Sequence, residues 1–266
     1  MPSPRAPIGT VTRGTTNPNR LRRCDRWLVA TQRRVLRQAA DPLVVDLGYG
    51  ASPVTAREFR DRLRATRPDV RVVGVEIDSG RVQEGMRIAD PPSLTFRRGG
   101  FEMGLQPSER PVVVRAFNVL RQYAESEVAA AWAEVTSRLA PGGLLVDGTC
   151  DEVGRIAAWV AVSAEGPRSL TISLRTGSLE RPSVVAERLP KSLIHRNVPG
   201  EPVHALLRDL DAAWDRAAPH SAFGSRARFV EAVRTLAGSG RWPVEPAPRR
   251  WRLGELTVDW AAVAPR

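Results

Sequence analysis

Apolar and polar positions fall into alternating blocks along this 266-residue chain. Short, almost unbroken apolar runs stand at 43–47, 70–78, 111–120 and 144–148. Such runs mark strands buried on both faces, as in a parallel sheet. Between them the apolar spacing becomes helical. Ala56, Phe59 and Leu63 share one face of a segment over 53–66, a further helix is expected at 80–89, and Val128, Trp132, Val135 and Leu139 share a face over 125–139. A shorter strand is expected at 94–97. Strands alternating with helices predict an α/β fold with a mostly parallel sheet. Upstream, Leu21, Trp27, Leu28, Val35 and Leu36 predict one helix from about 20 to 39, preceded by the turn signal Asn17-Pro18-Asn19. The first fifteen or so residues, rich in Pro, Gly and Thr, read as a loose arm.

After Cys150 the pattern changes. Segments 155–162 and 170–174 flank a turn at 165–168 and predict an antiparallel hairpin. Helices are expected at 182–194, 203–217 and 225–238, and 251–258 reads as a last short strand or turn. The organisation expected is a basic arm and helix over 1–40, an α/β core over 41–177, and a helical addition over 178–266 packed beside the sheet.

The junction after the first apolar run carries the first chemistry. Asp46 tips the strand, and Gly48 and Gly50 allow a tight turn and close backbone approach. Ser52 suits an N-cap and Pro53 the first helical turn. Ligands of open α/β sheets bind at such strand–turn–helix junctions. A dinucleotide fingerprint fails, because its last small residue would fall on Pro53, and no phosphate-binding lysine follows. One strand–helix unit later, Glu76 ends the second run and is placed to accept ribose hydroxyls, with an ordinary strand-end carboxylate as the plainer alternative. Asp78 suits the cap of the next helix.

Charge adds little beyond its distribution. The net charge is +11, yet Lys191 is the only lysine, so the arginine bias speaks of base composition as much as of function. Residues 1–40 hold nine arginines against the single acid Asp25, a segment able to hold nucleic acid or to be a solvated helix face. Cys24 and Cys150 make neither a disulfide framework nor a metal spacing, and no metal is expected. There is no apolar run of membrane-spanning length and no hydrophobic leader, so a cytoplasmic protein without membrane contact is the expectation.

The string Asp46-Leu47-Gly48-Tyr49-Gly50 resembles motif I of the class I S-adenosylmethionine (SAM) methyltransferases. The resemblance implies a Rossmann-like, seven-stranded sheet with a closing antiparallel hairpin. It also implies SAM as cofactor, with Asp46 near its methionine amino group and Gly48, Tyr49 and Gly50 passing under ribose and methionine. Glu76 would then lie at the ribose, and Ile77 after it would also belong to the cofactor site. The adenine site of the family often carries an acid where this chain has Gly100, so Phe101, Glu102 and backbone groups would take over. The end of the 111–120 run resembles motif IV: Asn118 would orient cofactor or substrate, and Arg115, Arg121 and Tyr123 would line the acceptor side, Asn118 and Tyr123 being the catalytic candidates. Leu139-Ala140-Pro141-Gly142-Gly143 matches the usual run-in to the fifth strand, so the likeness covers 43–148.

The expected function is therefore methyl transfer from SAM by SN2 displacement to an O, N or C atom of a small molecule or RNA. A nucleic-acid-binding or interaction protein on a degenerate methyltransferase fold is the alternative. A nucleotide-sugar or dinucleotide oxidoreductase is disfavoured by the missing third glycine. Lys191, His195, Arg196, Asn197 and His204 surround Pro199-Gly200 in an expected loop, either near substrate or as surface links.

Overall fold

A computed structural model describes residues 6–266, so the start of the expected arm, 1–5, lies outside the described residues. In chain order the elements are α1 (Arg22–Thr31), α2 (Arg33–Gln38), β1 (Leu43–Leu47), α3 (Val54–Arg64), β2 (Arg71–Glu76), α4 (Ser79–Met86), β3 (Leu94–Arg98) and β4 (Val113–Phe117). They continue with α5 (Val128–Ser137), β5 (Leu144–Cys150), β6 (Ile156–Ser163), β7 (Gly166–Leu174), α6 (Lys191–Ile194), α7 (Pro202–Arg216), α8 (Ser225–Gly238), α9 (Pro248–Trp251) and β8 (Glu255–Asp259). The sheet has eight strands in the order β3-β2-β1-β4-β5-β6-β7-β8. The α/β architecture with a mostly parallel sheet is thus as the apolar blocks predict, with one strand more than the seven expected.

The chain divides into two compact units. The first comprises 1–147, 152–154 and 162–166; the second comprises 148–151, 155–161 and 167–266. The division falls near 148 where 177 was expected: most of the hairpin clusters with the C-terminal segments, while its tip, 162–166, clusters with the first unit.

In the first unit β2, β1 and β4 run parallel, with Val45 opposite Val73 and Val114, and β3 extends the set beyond β2. All five residues of β1 and of β4 are buried, as parallel strands covered on both faces require. Helix α3 turns Ala56, Phe59 and Leu63 inward. The order of strands reverses between β1 and β4, the switch point at which open sheets form a crevice. The helix expected over 20–39 is bent at Gln32, which separates α1 from α2. Thr31 Oγ1 donates to the Trp27 carbonyl at 2.9 Å, the back-bonding that bends helices.

In the second unit β7 and β8 pair antiparallel, with Ile172 opposite Leu256. Leu256 and Val258 are buried while Thr257 between them is not, so the last segment is a strand and the eighth of the sheet. The helix expected over 182–194 is instead a 3-10 segment, Pro182–Arg188, followed by α6. Pro190 causes the break: it holds Leu189 extended, at φ −64° and ψ 143°. Helices α7 and α8 bury Leu206, Leu210, Trp214, Phe229, Val233 and Leu236. Among the described residues no helix is long and apolar enough to cross a membrane.

Asp147, on β5, is an unusual core residue. It is 1% exposed, and its Oδ2 accepts a hydrogen bond from Trp132 Nε1 at 3.0 Å. Burial pushes its pKa up to about 7, against the smaller opposing effect of Trp132. The folded chain therefore holds this proton where the unfolded chain releases it. Stability is expected to fall by on the order of 4 kcal/mol as pH rises from about 4 to about 7. Asp147→Asn is expected to remove this part of the pH dependence, leaving that of the buried Asp25, and urea unfolding of both chains across this pH range checks it.

Candidate functional site

The crevice at the C-terminal ends of β1, β2 and β3 is built from glycine turns and one carboxylate. Gly48 follows β1 at φ +66°, and its N–H donates to the Val75 carbonyl at 2.8 Å. A Cβ at Gly48 would lie 2.6 Å from Val119 Cγ2. Gly50, at φ +83°, donates its N–H to Glu76 Oε2 at 3.0 Å. Helix α3 begins at Val54, whose N–H reaches Ser52 Oγ at 3.4 Å, so the cap position falls on Pro53, one residue later than expected. Glu76 is 3% exposed; its Oε1 accepts the Ile77 N–H at 2.9 Å and its Oε2 lies 3.5 Å from Arg81 Nη1. Asp78 caps α4 through the Arg81 N–H at 2.9 Å. Tyr49 donates its hydroxyl to the Arg81 carbonyl at 2.8 Å, and burial, with Glu76 beside it, raises its pKa.

Gly48, Glu76, Ile77, Gly100 and Phe101 line one cavity together with Tyr123. Asp46, Tyr49, Gly50 and Asn118 are not among its lining residues. Asp46 is turned into the protein instead. It lies opposite Arg115 in the β1–β4 register, and Arg115 grips it with Nε at 3.0 Å and Nη2 at 2.7 Å. Thr55 Oγ1 donates to the same carboxylate at 3.2 Å. Arg115 Nη1 pairs with Asp25 of α1, and Arg62 Nη1 holds the second Asp25 oxygen at 2.6 Å. Phe59 covers the Arg115 guanidinium, 4.1 Å from ring centroid to carbon. Burial works against the Arg115 charge, but Asp25 and Asp46 outweigh it and raise the pKa above the ordinary value.

This corrects the place given to Arg115, which was expected to line the acceptor side. It is 0% exposed, because the strand register turns it toward Asp46 and Asp25. Asn118 follows β4 in the left-handed region at φ +59°, a conformation Asn tolerates better than most residues.

The arm occupies the crevice. Ile8 donates its N–H to Glu102 Oε2 at 2.8 Å and accepts the Phe101 N–H on its carbonyl at 2.9 Å. Thr10 donates its N–H to the Tyr123 hydroxyl at 2.6 Å, and Arg13 to Gln122 Oε1 at 3.0 Å. The Thr12 carbonyl accepts from Arg81 Nη2 and the Gly14 carbonyl from the Ala51 N–H, at 2.9 and 2.8 Å. Thr16 Oγ1 donates to the Tyr49 carbonyl at 2.9 Å. Gly9 and Gly14, at φ +128° and +69°, were the one sequence signal that this stretch has a defined path. What remains of the cavity is about 20 Å³. Sites for small organic ligands take roughly 300–1,000 Å³, so a nucleoside enters only if the arm leaves.

The polar group around Pro199-Gly200 belongs to the second unit and is tied up locally. Lys191 Nζ lies 3.2 Å from His195 Nε2, Asn197 Oδ1 lies 3.3 Å from His204 Nδ1, and Arg196 Nη1 lies 3.6 Å from Glu201.

The fold and site define an open α/β protein with a crevice at the switch point, where such sheets hold their ligands. No protein-family model and no curated protein matches the chain. Similar solved structures include a magnesium protoporphyrin IX methyltransferase, ChlM, from Synechocystis PCC 6803 with bound SAH, at 19% identity and TM-score 0.36 over 49% of this chain and 54% of that one. CcbJ methyltransferase from Streptomyces caelestis matches at 18% identity and TM-score 0.35 over 58% of this chain and 65% of that one. LepI in complex with SAM matches at 16% identity and TM-score 0.33 over 42% of this chain and 28% of that one. The chain thus spans less than two thirds of the length of these proteins. Likeness this partial carries no activity over to it.

Removing one partner of the buried charge cluster leaves the other charges uncompensated. Arg115→Leu is expected to destabilise the chain by about 3–5 kcal/mol, read by urea unfolding, whereas Arg87→Leu at the exposed pair with Glu84 is expected to leave the unfolding midpoint nearly unchanged.

Proposed function

We propose that this chain is a SAM-dependent methyltransferase whose own arm stands in for the nucleoside until the cofactor displaces it. One observation carries the reading. The Ile8 peptide gives an N–H to Glu102 and takes an N–H from Phe101. Adenine presents the same pair along one edge, an amino donor beside a ring-nitrogen acceptor. The groups that hold Ile8 are therefore those an adenine would use, and Glu102 supplies the carboxylate that position 100 lacks.

The residues present fit the remainder of such a ligand. Glu76 offers a buried carboxylate one strand–helix unit beyond the glycine turn, suited to ribose hydroxyls. Gly48 and Gly50 bring bare backbone to the crevice. The bound cofactor would supply a methyl group already activated on a sulfonium. The chain's task is then to align a nucleophilic O, N or C atom behind that group and to keep water out. Tyr123 lines the cavity and is the first candidate to touch the acceptor, with Asn118 beyond the end of β4. Asp46, with both carboxylate oxygens engaged by Arg115, holds the strand end in place and does not meet the cofactor.

The alternative, a nucleic-acid-binding protein on a degenerate fold, draws on the closed crevice and on Arg22, Arg34 and Arg37, exposed on α1 and α2. Calorimetry of the full chain with SAH separates the two. Binding is expected, and Glu76→Gln is expected to weaken it by roughly tenfold or more. No binding by the folded chain, together with RNA affinity that falls steeply with salt, would establish the alternative.

Arm release gives an independent test. If the arm competes, the apparent affinity is lowered by the fraction of molecules with the crevice open. Replacing Ile8 and Thr10 by proline removes two N–H donors from the arm and none from the crevice. The double variant is expected to bind SAH about tenfold or more tighter than the parent chain; equal or weaker binding would show that the arm does not compete.

A further inference from the structure

The second unit contains its own cavity, of about 600 Å³, within the size range of small-ligand sites. Its wall joins the start of β6, the end of β7 and the segment 178–187. Two arginines flank the strand ends. The Arg175 N–H donates to the Arg155 carbonyl at 2.8 Å, so the two residues are cross-strand neighbours. Both line the cavity and both are exposed. Among the described residues, neither guanidinium has an ion-pair or hydrogen-bond partner.

Like charges placed side by side on neighbouring strands repel. The carboxylates nearby do not relieve them. Asp151 Oδ1 accepts the backbone N–H groups of Arg155 and Ile156, at 2.7 and 3.3 Å, and Glu187 pairs with neither arginine. Arg181, also on the wall, is met by Asp215 at 3.1 Å and Asp211 at 3.7 Å. Glu180 on the rim offsets one of the two free charges at most. Ile156, Leu174, Leu179 and Val184, the last 39% exposed, add an apolar part to the wall, beside Ser178 and Ser183.

We propose that this cavity binds a small molecule with an apolar body and one anionic head group, a carboxylate or a phosphate, held between Arg155 and Arg175. Guanidinium groups suit both heads because they pair with two oxygens at once. The site stands apart from the cofactor reading, and its test needs no SAM.

The full chain is titrated by calorimetry with benzoate, phenyl phosphate and the neutral benzamide. At least one of the two anions is expected to bind, at least about tenfold more tightly than benzamide, and whichever prevails identifies the head group. Arg155→Gln and Arg175→Gln are each expected to weaken that binding by roughly tenfold. Thermal melting of the ligand-free variants is expected to give unchanged or higher midpoints, because the repulsion is removed. Three results would each overturn the proposal: neither anion binds, benzamide binds equally well, or affinity survives both substitutions. Lost binding accompanied by a lowered midpoint would overturn it too, since the arginines would then be structural.

Discussion

Arg115 has no water around its charge, and much of the first unit is arranged to answer that. Its guanidinium ties Asp46 on β1 to Asp25 on α1 while lying against Phe59 of α3. A buried charge of this kind is tolerated only while every partner is in place. The end of β1 is therefore fixed relative to β4 and to two helices before the chain enters the glycine turn. Gly48 and Gly50 inherit that position. An acid at the tip of a strand beside a glycine turn suggests a ligand contact, yet here its work is internal. Glu76 and residues 99–101, by contrast, line the crevice.

The arm is held by a different kind of force. Ile8 and Val11 are 50% and 51% exposed, so little apolar surface is buried in seating it. Its fixings are peptide and side-chain hydrogen bonds, which contribute little net because water offers the same bonds. Segments held this way lie at the low-stability end of a structure and open without global unfolding. On the proposed reading, a ligand that repeats the Ile8 bonds and adds contacts to Glu76 and the glycine turn would displace the arm. The buried ion cluster and the lightly held arm thus give the unit one rigid part and one loosely fixed part.

The crevice was legible in the sequence and the seating of the arm was not. Buried parallel strands leave apolar runs, and the turn between β1 and α3 needs glycines, so position, order and the line of the crevice followed from local pattern. Asp78 as a cap followed from its place before a helix. The partnership of Arg115 with Asp46 depends on strand register, which pairs residues 69 apart in the chain, and no local signal carries it. The break at Pro190 was marked by the proline itself, but helical spacing on either side hid it. The seat of the arm rests largely on backbone atoms, which are the same in every residue and leave no trace in composition; only Gly9 and Gly14 hinted at it.

Gly100 joins the two halves of the site. Where the motif resemblance leads one to expect an acid, this chain has no side chain at all. The geometry gives a reason. A Cβ at position 100 would lie 1.9 Å from the Ile8 carbonyl oxygen, closer than any real contact, and the clash would be with backbone. Any side chain there would keep the arm out. The carboxylate is supplied from Glu102, whose Oε1 accepts the Gly100 N–H at 2.8 Å while its Oε2 holds Ile8. The missing acid and the seated arm are consequently one feature. A chain that closes its crevice with its own peptide needs a bare backbone at that point and a carboxylate set back by two residues, and this sequence has both.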